Sequence, residues 1–203
     1  AGNYGHQKLN EVERSTIEFN LDSSEELDYS GFHTRLIYHL EGISYNRDPY
    51  ALWGDSTTPS MRLLAKQMVN SLINASTPQI AIRACNYPIS TKNRTGGKKE
   101  KGALKTARML WDAMEETKMT FSEIADLAMK IHNKISHRFG CDYGMDLMRI
   151  DSHITLEILY HFSSQHIPCL GIHDSFIVPQ YAKNDLLRTM QREYQKITGF
   201  LPI

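Results

Sequence analysis

Ile167-Pro-Cys-Leu-Gly-Ile172, His173-Asp174-Ser175-Phe176 and Ile177-Val178 follow one another without a gap, in the order of a strand, a tight turn carrying an acid, and a returning strand. An ionised carboxylate between two short apolar strands is costly unless a cation or substrate uses it, because charge needs partners where water is limited. A second acid stands far upstream, in Glu26-Leu27-Asp28-Tyr29-Ser30-Gly31-Phe32-His33-Thr34-Arg35. Asp28 ends a strand-like segment there, and Phe32, Leu36, Ile37 and Leu40 then recur at helical spacing until a stop at Gly42. Two acids delivered from strand ends are what a two-metal phosphoryl-transfer site requires.

The bulk properties bound the reading. The chain has 203 residues, 41% of them hydrophobic, enough for one large domain or two small ones with a packed core. Lys plus Arg and Asp plus Glu number 23 each, so nucleic-acid binding would need a local basic face. The three cysteines, Cys85, Cys141 and Cys169, form no CxxC pair, which argues against a zinc site or disulfide frame and assigns them to packing in a reduced cytoplasm. No apolar run is long enough to span a bilayer, and the start does not read as a signal peptide, so no membrane partner is expected. The chain begins without Met, as a processed or excised piece of something longer would.

Away from the two acids the pattern is mostly helical. The alternation Thr16-Ile17-Glu18-Phe19-Asn20-Leu21 reads as a strand leading into the sheet, and residues 45 to 59 as a loop-rich connection. A helix starts after Thr58-Pro59-Ser60, with Ser60 as its cap. Arg62, Lys66, Asn70 and Asn74 then step by four, so they form one polar stripe. From its spacing such a stripe reads first as a solvated face and only second, with two cations at its head, as a track for a polyphosphate. Lys92, Arg94, Lys98, Lys99, Lys101 and Lys105 around Gly96-Gly97 make one basic cluster, readable as a solvated loop or a phosphate-backbone contact. Thr120-Phe-Ser-Glu123 is a capping box between two helical runs, and the five-residue step from His132 to His137 is not the HExxH spacing. Asp151 is read as the N-cap of a further helix, and Leu186, Leu187, Met190 and Tyr194 as the inner face of a last one ending near Gly199.

Together these residues form an ordered set. Asp28-Tyr29-Ser30 and Arg35 match a DYSxxExR motif, Arg62 and Lys66 match the head of a fingers-helix motif, and His173-Asp174-Ser175-Phe176 matches an HDSF motif. On these, over roughly residues 18 to 195, the chain resembles the family A DNA polymerases and the related single-subunit phage-type RNA polymerases, in a short phage- or plasmid-like form. The resemblance implies an α+β fold: a polymerase palm, an antiparallel sheet with helices, and a largely helical fingers subdomain inserted between the first and third motifs. The implied divisions are residues 1–45 and 141–203 for the palm and 46–140 for the fingers.

It also implies template-dependent addition of nucleoside monophosphates to a primer 3′-hydroxyl with release of pyrophosphate, as in DNA replication in a phage-infected or plasmid-bearing cell. Asp28 and Asp174, with the Tyr29 carbonyl, would hold two Mg²⁺ ions, or Mn²⁺ in their place. Arg62 and Lys66 would take the triphosphate, Lys66 also protonating the departing pyrophosphate. His33, Asn70 and Asn74 would line the nucleotide pocket, and His173, Lys98 and Lys99 would meet the DNA or RNA primer-template. Arg35 would either support the palm or contact that duplex. The chain departs from the family at His33, which replaces the Glu that excludes ribose, and at Asn74, which replaces a Tyr. It also leaves no room before Asp28 for a thumb, so an accessory domain or partner is expected. The alternatives are a phage-type RNA polymerase, a non-catalytic nucleic-acid-binding module of the same fold, and an unrelated metal-dependent phosphohydrolase.

Overall fold

The first hairpin turns on two residues that both hold positive φ. In the computed structural model, which describes residues 5–90 and 100–202, β1 (Glu18–Phe19) returns as β2 (Asp22–Asp28) through Asn20 at φ 53° and Leu21 at φ 73°. Positive φ at both central positions matches the right-handed twist of the flanking strands; Asn accepts it, whereas Leu pays for it and leaves its side chain 91% exposed. The strand expected over residues 16 to 21 is thus only two residues long, cut short by this turn. β3 (Leu170–Ile172) and β4 (Ser175–Pro179) form the second hairpin, and the four strands make one antiparallel sheet in the order β1, β2, β4, β3. The fold is α+β.

The chain divides into two compact units, residues 1–32 with 148–203, and residues 33–147 between them. In the first unit, the short α1 (Glu11–Arg14) precedes the sheet, and α8 (Lys183–Thr198) packs on β2 and β4. Every residue of the central strand β4 is buried, which is why it runs apolar without alternation from Phe176 to Pro179. Leu186, Met190 and Tyr194 form the buried face of α8, which ends at Gly199 with φ 76°, a left-handed cap that glycine takes without a Cβ penalty. Leu187, grouped with them by its spacing, is exposed instead.

In the second unit α2 (Phe32–Leu40) is followed by α3 (Pro59–Asn74), α4 (Pro78–Ser90), α5 (Glu100–Thr117) and α6 (Phe121–Ile131), with α3 contacting the last three. The cap of α3 is Thr58, whose Oγ accepts from the Met61 N–H, and not Ser60. Pro59 has no N–H to satisfy and suits the first helical position, which moves the cap back by two residues. Ser60 instead donates to Glu116, 2.9 Å away. The capping box of α6 forms in full between Thr120 and Glu123. The long α7 (Gly144–Ser164) begins seven residues before the expected cap, leaving Asp151 inside the helix. Met145, Leu147, Met148 and Arg149 are good helix formers, and their propensity overrides the capping preference of Asp151.

His132 is fully buried in this unit. Its Nε2 lies 2.9 Å from the Pro49 carbonyl, an acceptor only, so Nε2 carries the proton and Nδ1 accepts from the Tyr38 hydroxyl at 3.0 Å. Burial pushes this imidazole below its ordinary 6.5, with the Pro49 carbonyl pulling weakly the other way. Burial, with Arg35 nearby, does the same to His39. A histidine with a depressed folded pKa stabilises above its unfolded value and loses that contribution as pH falls, because the unfolded chain then binds more protons. Thermal melts should therefore show stability declining as pH drops below about 6.5. His132→Gln should flatten that decline while lowering the midpoint at neutral pH, and an unchanged slope would assign it to other groups.

The cysteines do not all serve packing. Cys85 is fully buried and burial pushes the Cys169 thiol up to about 12, but Cys141 is exposed. A thiol reagent at about pH 8 should modify Cys141 alone in the folded protein and all three cysteines in denaturant. Rapid native modification of a second thiol would contradict this burial.

Candidate active site

The register of the sheet brings the two acidic residues of the sequence to neighbouring positions. Asp28, the last residue of β2, pairs with Ser175, the first of β4, and Asp174 immediately precedes Ser175. The Tyr29 N–H donates to the Asp174 carbonyl at 3.3 Å, extending the pairing to the turn. Directly opposed residues of an antiparallel pair stand about 5 Å apart at Cα, so both acids emerge at one end of the sheet. Asp28 is exposed and Asp174 half-buried.

Each acid sits beside a residue anchored in the core. Tyr29 is 5% exposed, its hydroxyl donates to the Met190 carbonyl of α8 at 2.7 Å, and its ring stacks on Phe32 at 4.8 Å. Burial raises its phenol well above the ordinary value, so it stays a neutral donor. On the other strand, the buried Ser175 donates to the Glu26 carboxylate at 2.7 Å and lies 3.1 Å from the Ile172 carbonyl. Arg14 grips both oxygens of Glu26, at 2.9 and 3.0 Å. Burial alone would raise the Glu26 carboxyl, but the bonds from Arg14 and Ser175 hold it below the usual carboxylate range. Glu26, two residues from Asp28 and on the same face of β2, is therefore a strut for Ser175. Sequence reading missed this Arg14, Glu26 and Ser175 chain: β2 reads Asp-Ser-Ser-Glu-Glu-Leu-Asp without alternation, and Ser175 lies 149 positions from Glu26.

The turn between β3 and β4 holds His173, exposed, at φ 52°. Positive φ at the first turn position is a place glycine usually takes, and a histidine there stores strain of about 1 kcal/mol. Strain of this kind concentrates at functional sites.

Among the described residues no group of three or more His, Cys, Asp or Glu side chains is arranged to hold a metal. A dedicated protein cage is not how Mg²⁺ is ordinarily held: one or two carboxylates suffice, with substrate phosphates and water completing an all-oxygen shell. Asp28, Asp174 and a main-chain carbonyl at Tyr29 are all hard oxygen donors, so the residues present suit that ion or Mn²⁺.

No protein-family model matches this chain. No curated protein sequence matches it either.

The polar stripe on α3 forms as its spacing requires: Leu64, Met68, Leu72 and Ile73 are fully buried, while Lys66 and Asn74 are exposed and Arg62 and Asn70 half-buried. The preceding loop engages it, which the sequence did not reveal. Asp48 accepts from Arg62 at 2.6 and 3.2 Å, and the Tyr50 ring lies 5.3 Å from the Arg62 guanidinium and 6.0 Å from the Lys66 ammonium. Burial favours the neutral Asp48 carboxyl, yet the bonds from Arg62 and the Tyr50 N–H bring it below its ordinary value. Arg62 is thus held ready but occupied, and taking a phosphate would mean exchanging or sharing Asp48. Asn74 donates back to the Asn70 carbonyl at 2.8 Å, which turns its amide along the helix.

The remaining expected residues fall in different settings. His33 is half-buried in the first turn of α2. Arg35 is 5% exposed and donates to the Tyr45 carbonyl at 3.0 Å, which suits the supporting role of the two left open for it. Lys98 and Lys99 lie outside the described residues.

Proposed function

We propose that the chain is a template-dependent nucleotidyltransferase of the family A and phage-type polymerase kind, extending a primer 3′-hydroxyl at the expense of a nucleoside triphosphate. The observation that carries the reading is the register that sets Asp28 opposite Ser175 and so beside Asp174. Order adds weight: DYS, then the Arg62 and Lys66 stripe, then HDSF follow one another as in those enzymes. No helix among the described residues is long and apolar enough to cross a membrane.

In this reading Asp28 and Asp174 hold the divalent ions, with the Tyr29 carbonyl as a further donor. Two such ions, when bound, lower the pKa of the attacking hydroxyl and offset charge on the leaving group. The protein residues do the rest. Arg62 and Lys66 bind the β- and γ-phosphates, and Lys66 Nζ gives its proton to the departing pyrophosphate. His33, Asn70 and Asn74 orient the nucleotide, and His173 stands at the primer end.

A labelled primer-template with Mg²⁺ tests the proposal, supplied with either deoxynucleotides or ribonucleotides and run beside Asp28→Asn. Extension that the substitution removes supports the reading, and the nucleotide set consumed assigns the sugar preference that His33 leaves open. Absence of extension, with no triphosphate binding that depends on Arg62 and Lys66, would favour a non-catalytic nucleic-acid module.

A further inference from the structure

We propose a second nucleotide-binding site, wholly within residues 33–147: a cleft of about 400 Å³ formed by the segment after α2 and the segment after α6. Tyr38, Tyr45, Asn46, Arg47, Asn133 and Lys134 supply its chemistry. Its size lies at the small end of ligand sites, suiting one nucleotide unit.

Charge is the first argument. The whole chain is neutral, yet the cleft lining holds Arg47 and Lys134 and no carboxylate. Both cations are exposed, and neither forms an ion pair with a described residue. The nearby cations behave differently: Arg62 is bonded to Asp48 and Arg138 to Glu41. Two unengaged cations beside a concave surface fit a phosphate, which the Asn46 and Asn133 amides can also donate to.

The second argument is the flat face beside that charge. Tyr45 stacks on Tyr38 with ring centroids 4.1 Å apart and planes 13° from parallel. Tyr38 is itself locked by its bond to the buried His132. A half-buried tyrosine backed in this way keeps its orientation, the requirement for a platform on which a base can stack at little entropic cost. Phosphate donors and an aromatic platform in one cleft match a 5′-phosphorylated nucleoside, supplied either as a free nucleotide or within a single strand. The inference does not depend on the carboxylates of the sheet.

Fluorescence anisotropy on the full chain tests it, with two probes: a short labelled oligothymidylate and a fluorescent adenosine monophosphate. Combined Arg47→Gln and Lys134→Gln should weaken binding about tenfold, and reduce the salt dependence for the strand by roughly 0.7 for each phosphate contact removed. Tyr45→Leu keeps apolar bulk and removes no charge, yet should also cost about tenfold through lost stacking; diffuse attraction to the Lys-rich segment would not respond to it. Circular dichroism melts confirm that each variant folds. Losses with both probes identify a mononucleotide ligand, and losses with the oligonucleotide alone identify a strand. Unchanged affinity in both variants, or no binding of either probe by the unaltered protein, overturns the proposal. Asp174→Asn should lose primer extension while keeping this binding, so failure of one reading is distinguishable from failure of the other.

Discussion

Asp174→Asn should abolish nucleotide addition and leave the protein folded. The change keeps the shape of the side chain but removes the charge that would hold a divalent ion, so primer extension should fall roughly a thousandfold or more, on the scale of losing an electrostatic stabiliser at a reacting centre. Stability should move by less than about 0.5 kcal/mol, because the substitution keeps the size of a half-buried side chain and leaves the main-chain pairing intact. The strand pairing explains why the two effects separate. Asp174 accepts from the Tyr29 N–H through its main-chain carbonyl, which the substitution does not touch. Extension by the variant at the rate of the original protein would sink the two-metal reading, whereas loss of activity with a large drop in melting temperature would show only that the turn had collapsed.

The largest effect on stability is expected at Gly140. This residue has φ 68°, and its N–H donates to the Leu72 carbonyl at the end of α3, 2.7 Å away. A Cβ built there would lie 2.5 Å from Pro78 Cδ and 2.9 Å from Pro78 N. A proline ring and its own backbone at the start of α4 cannot swing aside as a long side chain could. Gly140→Ala combines left-handed strain with overpacking, a loss of roughly 3 kcal/mol in denaturant melts. Gly144 offers a graded comparison: it lacks the left-handed φ, and a Cβ there meets the Asn74 amide, which can turn away, with the Asn74 Cα next at 3.3 Å. Gly144→Ala should cost less stability and act mainly by displacing Asn74. A Gly140→Ala variant as stable as the original would show that the α3 to α4 junction relaxes freely.

What was legible in the sequence is what short-range physics controls. The hairpin at His173 and Asp174 could be read from two apolar runs around a polar pair, the α3 stripe from its four-residue step, and the α8 stop from Gly199. Local competition produced the errors: Pro59 moved the cap of α3 to Thr58, and strong helix formers carried α7 through Asp151. Long-range partners left little trace. Arg14 grips Glu26 and Lys183 grips Glu25, consecutive residues on opposite faces of one strand, and nothing in the residues of β2 names either cation. α4 has an ordinary composition and went unread, although Pro78 marks its start. The polymerase reading itself came from the order of three short motifs, and the strand register is the structural observation that bears on it.

The bond from Ser175 to Glu26 joins residues 149 positions apart. While the chain is being synthesised, residues 33–147 emerge complete before β4 exists, and β2 has no central strand to pair with. Closing so long a loop costs entropy, so the pairing is favoured only once the intervening unit has collapsed. Asp28 and Asp174 therefore become neighbours late, and an interrupted chain leaves the ribosome carrying one carboxylate without the other. Folding speed is set by topology more than by the strength of any single contact.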